Sequence, residues 1–417
     1  MTRPAQHPIV IARMFLRTAS ASAVLTAALL PALVAGQAPQ RQRYQVLHRF
    51  TGSPIDGQQP LARLLRDAKR NLYGTTASGG LYGTGTIFKL ERNGKETVLF
   101  NFTGDSGIRP DGGLIQDEEG NLYGTASYGG DLTCVSGVGC GTVFKLNTAG
   151  KLIVLHRFNG PAAFPYGPLV RDNEGNLYGT TQQSSVNGNF HDGTVFKLDT
   201  TGTLTVLTSG GINAGVILDE EGNLYGTIFE GAVFKLDRNG LMTVLNATSN
   251  PTTGPVRDAA GNLYFGGGLT DCTAGGSDDS DCGRLFKLDT AGVSTVLHTF
   301  TGGADGLAAI DTLALDESGN LYGASGFGGL PNCSSSTNFF SGCGTAFKLD
   351  TAGNLTILHS FTGGTDGGIP LAGVTRDKKG NLYGTVVNQI GLGDGLVFKI
   401  NGDFPRSSGS PATTPSR

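Results

Sequence analysis

Tryptophan is absent from this 417-residue chain, methionine occurs three times, and charged residues make up only 16%. Ordinary soluble domains are about 25% charged. The formal net charge is −3 and no long basic run is present, which sets nucleic-acid binding aside. The cysteines show no C-x₂₋₄-C pairs, so zinc-finger chemistry has no ligands to use. Nowhere does an apolar period of 3.6 persist long enough to specify a helix. The longest apolar run, Ala23–Ala35, is shorter than the roughly 20 residues a membrane-spanning helix needs. The length alone allows one large domain or two to three ordinary ones.

What is present is glycine, 67 residues of it, among many short runs of Val, Thr, Phe and Tyr. The N-terminus differs from the rest. Arg3, Arg13 and Arg17 precede the apolar run, and the small residues of "LVAGQA" follow it. Positive flank, short apolar core and small-residue exit form a secretory signal. Residues 1–36 are therefore expected to be a signal peptide cut near Gly36 or Ala38, or else retained as an N-terminal anchor. Residues 37–43 then form a linker. The six cysteines fall into close pairs, Cys134 with Cys140, Cys272 with Cys282, and Cys333 with Cys343. In each pair the second cysteine precedes the glycine that opens the same kind of strand. Three local disulfides are the simplest reading of the 15 possible connectivities, and they suit an oxidising compartment. A secreted, extracellular or periplasmic location is expected.

A phrase built on "NLYG" recurs at Asn71, Asn121, Asn176, Asn223, Asn262, Asn320 and Asn381. Around it, each unit holds four strand-like segments: a run such as "LVRD" (Leu169–Asp172), then "NLYGT", then "GTVFKL", then "TVLHSF"-like wording. Four short strands per repeat of this length specify a β-propeller blade. The chain opens with an orphan fourth segment, "VLHRF" (Val46–Phe50), and its last repeat stops after "LVFKI" (Leu396–Ile400). The two orphans make one whole blade. The expected fold is all-β: a seven-bladed propeller of four-stranded blades over residues 44–402, closed by the N-terminal strand joining the last blade. Residues 403–417 read as a disordered tail. Closure removes the open sheet edges that would otherwise template aggregation.

The turn between segments one and two reads D-x-x-G-N in six repeats, with Arg70 in place of glycine in the other. Aspartate accepts backbone hydrogen bonds there and glycine takes the positive-φ position. The turn between segments three and four is similar. These regular hairpins share one face of a propeller. The irregular connections, including every cysteine pair, share the other, which is the expected functional face.

The wording "GNLYGTT…GTVFKLD…TVLHSFTGG.DG" resembles the GloVer tandem repeat of exported bacterial choice-of-anchor proteins, over about residues 44–402. The resemblance implies an exported repeat protein and no assigned activity. The tail "FPRSSGSPATTPSR" departs from the anchored pattern, having no terminal apolar segment. The D-x-x-G-N-x-Y wording is also similar to that of other propellers, sugar-lactone hydrolases among them, through a shared hairpin.

His48, His156, His298 and His359 repeat around the ring and read as packing or capping groups of the outermost strands. The "FK" lysines read as ion-pair partners of turn aspartates. Within "NLYG", Leu and Tyr are expected on opposite sheet faces against neighbouring blades, with Gly where backbone packs closely. The exception "NLYFG" (Asn262–Gly266) predicts loosening or a bulge. His191, beside Asp192, stands outside the repeat pattern and is the candidate general base. "GDSG" at Gly104–Gly107 is a repeat variant and not a protease nucleophile. Asp56, Asp105, Asp111, Asp305 and Asp366 are candidates to ring the channel mouth. The acidic loop of Asp271, Asp278, Asp279 and Asp281 offers oxygen ligands suited to calcium, although no complete calcium-loop motif surrounds it. Loop aromatics Tyr82, Tyr128, Tyr166, Phe327 and Phe339 are candidates to stack on sugars or anchor a partner. A monomeric binding or scaffold protein for a polysaccharide or extracellular protein is expected. The alternative is a polysaccharide lyase or hydrolase using His191 and Asp192 at the central funnel.

Overall fold

The computed structural model describes residues 44–134, 137–159, 162–183, 193–212, 214–228, 231–247, 251–269, 282–309, 311–330, 333, 342–387 and 394–402. Among them, seven four-stranded antiparallel sheets stand in a ring as the blades of a β-propeller, with no helix. The second blade is typical: Leu114–Gln116 innermost, then Leu122–Ala126, Thr142–Leu146 and, outermost, Leu152–Arg157. The seventh joins both ends of the chain. Thr375–Arg376, Leu382–Val386 and Leu396–Ile400 are completed by Tyr44–Arg49, paired from Tyr44 opposite Ile400 to Arg49 opposite Leu396 with a one-residue bulge between Val46 and His48. No helix among the described residues is long and apolar enough to cross a membrane.

Alternation along "NLYG" builds the blade interfaces. Leu72 of the first blade is buried in a cluster that includes Tyr383 of the seventh, and Leu122 of the second meets Tyr73 of the first. Leu and Tyr therefore serve opposite faces, as expected from the period-two strand. The glycine has a different task from the expected one. A Cβ on Gly74 would lie 2.6 Å from Cζ of Phe88, its cross-strand partner, and Gly124 stands likewise to Phe144 at 2.7 Å. The missing side chain makes room for a buried ring rather than for neighbouring backbone. A second ring then links blades: Phe50 meets Phe88 edge to face, Phe102 meets Phe144, and Phe158 meets Phe196, with centroids 5.1–5.4 Å apart.

The fifth blade corrects a sequence expectation. Phe265 replaces the glycine, yet the pairing runs in register from Leu263 opposite Leu288 to Leu269 opposite Cys282, without a bulge. Phe265 instead stacks on Phe286 at 5.4 Å and 17°. In five other blades a leucine or valine at or just before the innermost strand, such as Leu64, Leu169 or Leu313, covers the glycine. The fifth blade carries Pro255 there, and that smaller ring leaves space for the phenylalanine.

The hairpin turns follow their chemistry. Asp117 Oδ1 accepts the Asn121 amide at 2.8 Å, and Gly120 sits at φ +90°. Asp117 Oδ2 accepts both Asn121 Nδ2 at 2.8 Å and the Tyr123 hydroxyl at 3.0 Å. The same Tyr-to-Asp bond recurs in all seven blades, at 3.0–3.2 Å. This displaces the expected lysine pairing. Lys145, Lys197, Lys235, Lys287 and Lys348 lie over the tyrosine rings instead, 5.2–6.0 Å from the centroids, and Lys145 alone also approaches its aspartate, at 4.0 Å.

Disulfides join Cys134 to Cys140 and Cys333 to Cys343, both between second and third strands. Cys282 is also oxidised, and Cys272, its expected partner, lies outside the described residues.

Candidate functional site at the mouth of the central channel

The innermost strands surround a channel of about 590 Å³ lined by residues from every blade. In most blades the lining is small or aliphatic, because neighbouring inner strands approach closely: a Cβ on Gly167 would lie 3.0 Å from backbone of Gly215. Arg66, Arg376, Asp377 and Lys378 also line the channel, and four further residues put a charged or aromatic side chain where other blades carry a small or aliphatic one. Tyr166 and Asp111 stand where the first and seventh blades carry Leu61 and Leu371. Asp311 stands where other blades carry Ala62, Gly112, Gly167, Ala214 and Ala372, and Arg63 where they carry Gly113, Gly215, Gly254 and Gly373. All four line the channel.

Each is held in place. The Asp111 side chain is 7% exposed and receives Arg109 Nε at 3.0 Å and the Ser127 hydroxyl at 2.5 Å. Burial pushes the Asp111 carboxyl upward, while Ser127 and Arg109 favour its charge. Arg109 itself is half exposed. Asp311, at φ +62°, accepts the Gly373 amide of the next blade at 2.8 Å and the Thr312 amide at 2.6 Å. Arg63 Nε donates to Thr375 Oγ1 at 3.4 Å, and Thr375 in turn donates to the Leu64 carbonyl. Burial works against the guanidinium charge of Arg63, and Asp311 supports it. Tyr166 is 39% exposed into the mouth. Enclosure there, reinforced by Asp311 and Asp111, raises its hydroxyl to about 12, so it stays protonated and can donate. The result is one aromatic face beside the Arg109–Asp111 ion pair and the charges of Arg63 and Asp311, a surface able to stack and to exchange hydrogen bonds.

Of the residues singled out from sequence, Tyr166 and Asp111 reach the channel. Tyr82 is 59% exposed, on the connection between the second and third strands of the first blade. A short ladder, Gly57–Gln58 with Ser78–Gly79, ties that connection to the one carrying Ile55, which is 81% exposed. Tyr128 is half-buried against Phe164 at 5.4 Å, and Phe327 bridges to Leu307. Asp305 and Asp366 are not among the lining residues. Asp305 lies 3.3 Å from His298 and accepts the Thr301 amide at 3.0 Å, while Asp366 lies 3.0 Å from His359. Asp56 pairs with His48 in the same way, at 3.3 Å. Asp105 is exposed. His191, Asp192, Phe339, Asp271, Asp278, Asp279 and Asp281 lie outside the described residues. Sequence reasoning missed Arg63, Arg109 and Asp311. Their signal is a charge at a place in the repeat that other blades fill with glycine, alanine or an uncharged residue.

Fold and channel together define a seven-bladed β-propeller with a polar, symmetry-broken mouth. The Gloeobacter/Verrucomicrobia repeat family matches this chain twice, over residues 36–232 and 211–407, and the chain belongs to that family. No curated protein matches it. Among solved structures, a chain of the mitotic checkpoint complex is 13% identical with a TM-score of 0.52, covering 92% of this chain and 99% of that one. It shares the fold. A Xanthomonas campestris gluconolactonase is 14% identical with a TM-score of 0.39, covering 86% of this chain and 89% of that one. That likeness is too distant to inform activity.

Proposed function

We infer that this protein is an exported binding or scaffold propeller whose ligand, a polysaccharide, docks at the channel mouth on the face of irregular connections. The observation that carries the reading is the break in repeat symmetry: Tyr166, Asp111, Asp311 and Arg63 replace aliphatic or small residues at one place. A repeat that needs only to close a ring has no use for that replacement, and buried charges are costly unless paired. Sugars present apolar ring faces and vicinal hydroxyls, which suit an aromatic platform beside carboxylate and guanidinium groups. The signal-like N-terminus and the disulfides support export. Asp111 and Asp311 are both committed to hydrogen bonds within the protein, an arrangement that favours binding over proton transfer.

The test is a glycan screen on the mature protein alongside Tyr166→Ala and Asp111→Asn. Binding that both variants weaken supports the reading. Glycan binding that neither variant alters, or capture of an extracellular protein with no glycan retained, overturns it.

A further inference from the structure

Three groups of metal-ligand type meet at the seam where the ring closes. His48 belongs to the N-terminal strand, Asp56 to the connection into the first blade, and Glu96 opens that blade's outermost strand, Glu96–Asn101. One ligand atom from each lies within 4.8 Å of the other two. His48 Nε2 is 3.3 Å from Asp56 Oδ2. Asp56 is almost fully buried, and its carboxylate is oriented by the amides of Thr51 at 3.0 Å and Gly57 at 2.7 Å.

The chain supplies its own controls. His298 with Asp305 and His359 with Asp366 repeat the pairing at 3.3 and 3.0 Å. Among the described residues, neither has a third ligand. The register places Leu355 and Tyr44 at the head of the next outer strand, where the first blade has Glu96. Leu152 and Leu204 hold that position in the second and third blades. Glu96 is thus a carboxylate in an apolar slot, and its buried Oε1 has no hydrogen-bond partner. Burial first, and then the nearby Asp56, work against its charge, while His48 favours it.

We propose that His48, Asp56 and Glu96 hold a divalent transition metal of the zinc type, which clips the ring-closing strand to the first blade. A tetrahedral ion with bonds of about 2.0–2.1 Å spaces its ligands about 3.3–3.4 Å apart, and the His48–Asp56 distance already matches. Glu96, on a flexible stem, supplies the third bond and water the fourth. Mixed nitrogen and oxygen donors suit zinc better than calcium or magnesium, which prefer oxygen alone. The amides on Asp56 act as the outer contacts that fix a metal-bound carboxylate.

The test uses the mature chain after chelator treatment, titrated calorimetrically with Zn²⁺ and melted with and without it. Glu96→Leu restores the residue found at positions 152, 204 and 355, so folding should survive; Glu96→Gln serves if it does not. The expected result is one zinc equivalent in the wild type with a raised Tm. In the variant that equivalent should be lost or weakened at least about 10–100-fold, as outer contacts alone can contribute that much. An identical zinc stoichiometry and Tm increment in both proteins, or no zinc-dependent rise in the wild type, overturns the proposal.

Discussion

Tyr44 lies flat on His359, ring centroids 4.0 Å apart and planes 12° from parallel, and its hydroxyl donates to the Asp366 carbonyl at 2.5 Å across 322 residues of sequence. The first strand of the ring is therefore bonded within its own blade and seated against the sixth. Burial pushes the Tyr44 hydroxyl pKa well up, with Asp366 adding to it.

Removing that seat should open the ring. Tyr44→Ala is expected to cost about 3 kcal/mol, the lower end for deleting a packed aromatic. Deleting residues 44–50 should lower Tm much further, because it exposes the edge of Leu396–Ile400. Thermal melts check both. An unchanged melting curve in the truncation contradicts closure by the N-terminal strand.

Closure was legible in the sequence because the two orphan segments were complementary in kind, and the blade count followed from the repeat. Turn chemistry was legible because Asp, Gly and Asn each have one local task. What depended on contacts between repeats was not. The Tyr123 hydroxyl takes the Asp117 oxygen that the sequence assigned to lysine, a choice set by the cross-strand pairing of Tyr123 with Lys145. His298 and Asp305 stand seven residues apart, and only the folded connection brings them together. Arg63 and Asp311 lie in different blades, and the short inner strands gave too little pattern to show that both face one channel.

The turn aspartate is a point of high leverage. Asp117→Ala removes the acceptor of two side-chain donors and one amide at once. Hydrogen bonds to charged groups contribute about 1.5–3 kcal/mol each, so a loss of at least about 2 kcal/mol is expected. Asp117→Asn, which keeps one acceptor oxygen, should lose less. Urea denaturation of the two variants makes the comparison.

In the fifth blade, returning to the repeat wording should destabilise. Phe265→Gly empties a ring-sized space beside Phe286 and is expected to cost about 3–5 kcal/mol. Adding Pro255→Leu supplies the side chain that covers this glycine elsewhere and should recover part of the loss. A double variant no more stable than Phe265→Gly contradicts the compensation.

Burial lowers the His156 pKa below its ordinary value of about 6.5. The unfolded chain then binds more protons than the native one at mildly acid pH, so the contribution is complete above about pH 6.5 and is lost as pH falls through the folded pKa. Burial shifts His359 the same way, with Asp366 opposing. His156→Phe, which copies Phe100 at the matching position, should flatten the fall in denaturation midpoint between about pH 7 and 5. An unaltered slope contradicts this.

The most direct measurement of the binding reading is calorimetric titration of a screened glycan into wild type and Tyr166→Leu. Leucine stands at this place in the first and seventh blades, so the fold has already accommodated it. Stacking of a nucleic-acid base on an aromatic ring contributes about 1–3 kcal/mol; with a sugar ring on the same scale, affinity should fall roughly 5- to 100-fold while Tm holds. Equal affinity in both proteins would mean that the ligand does not sit at the channel mouth.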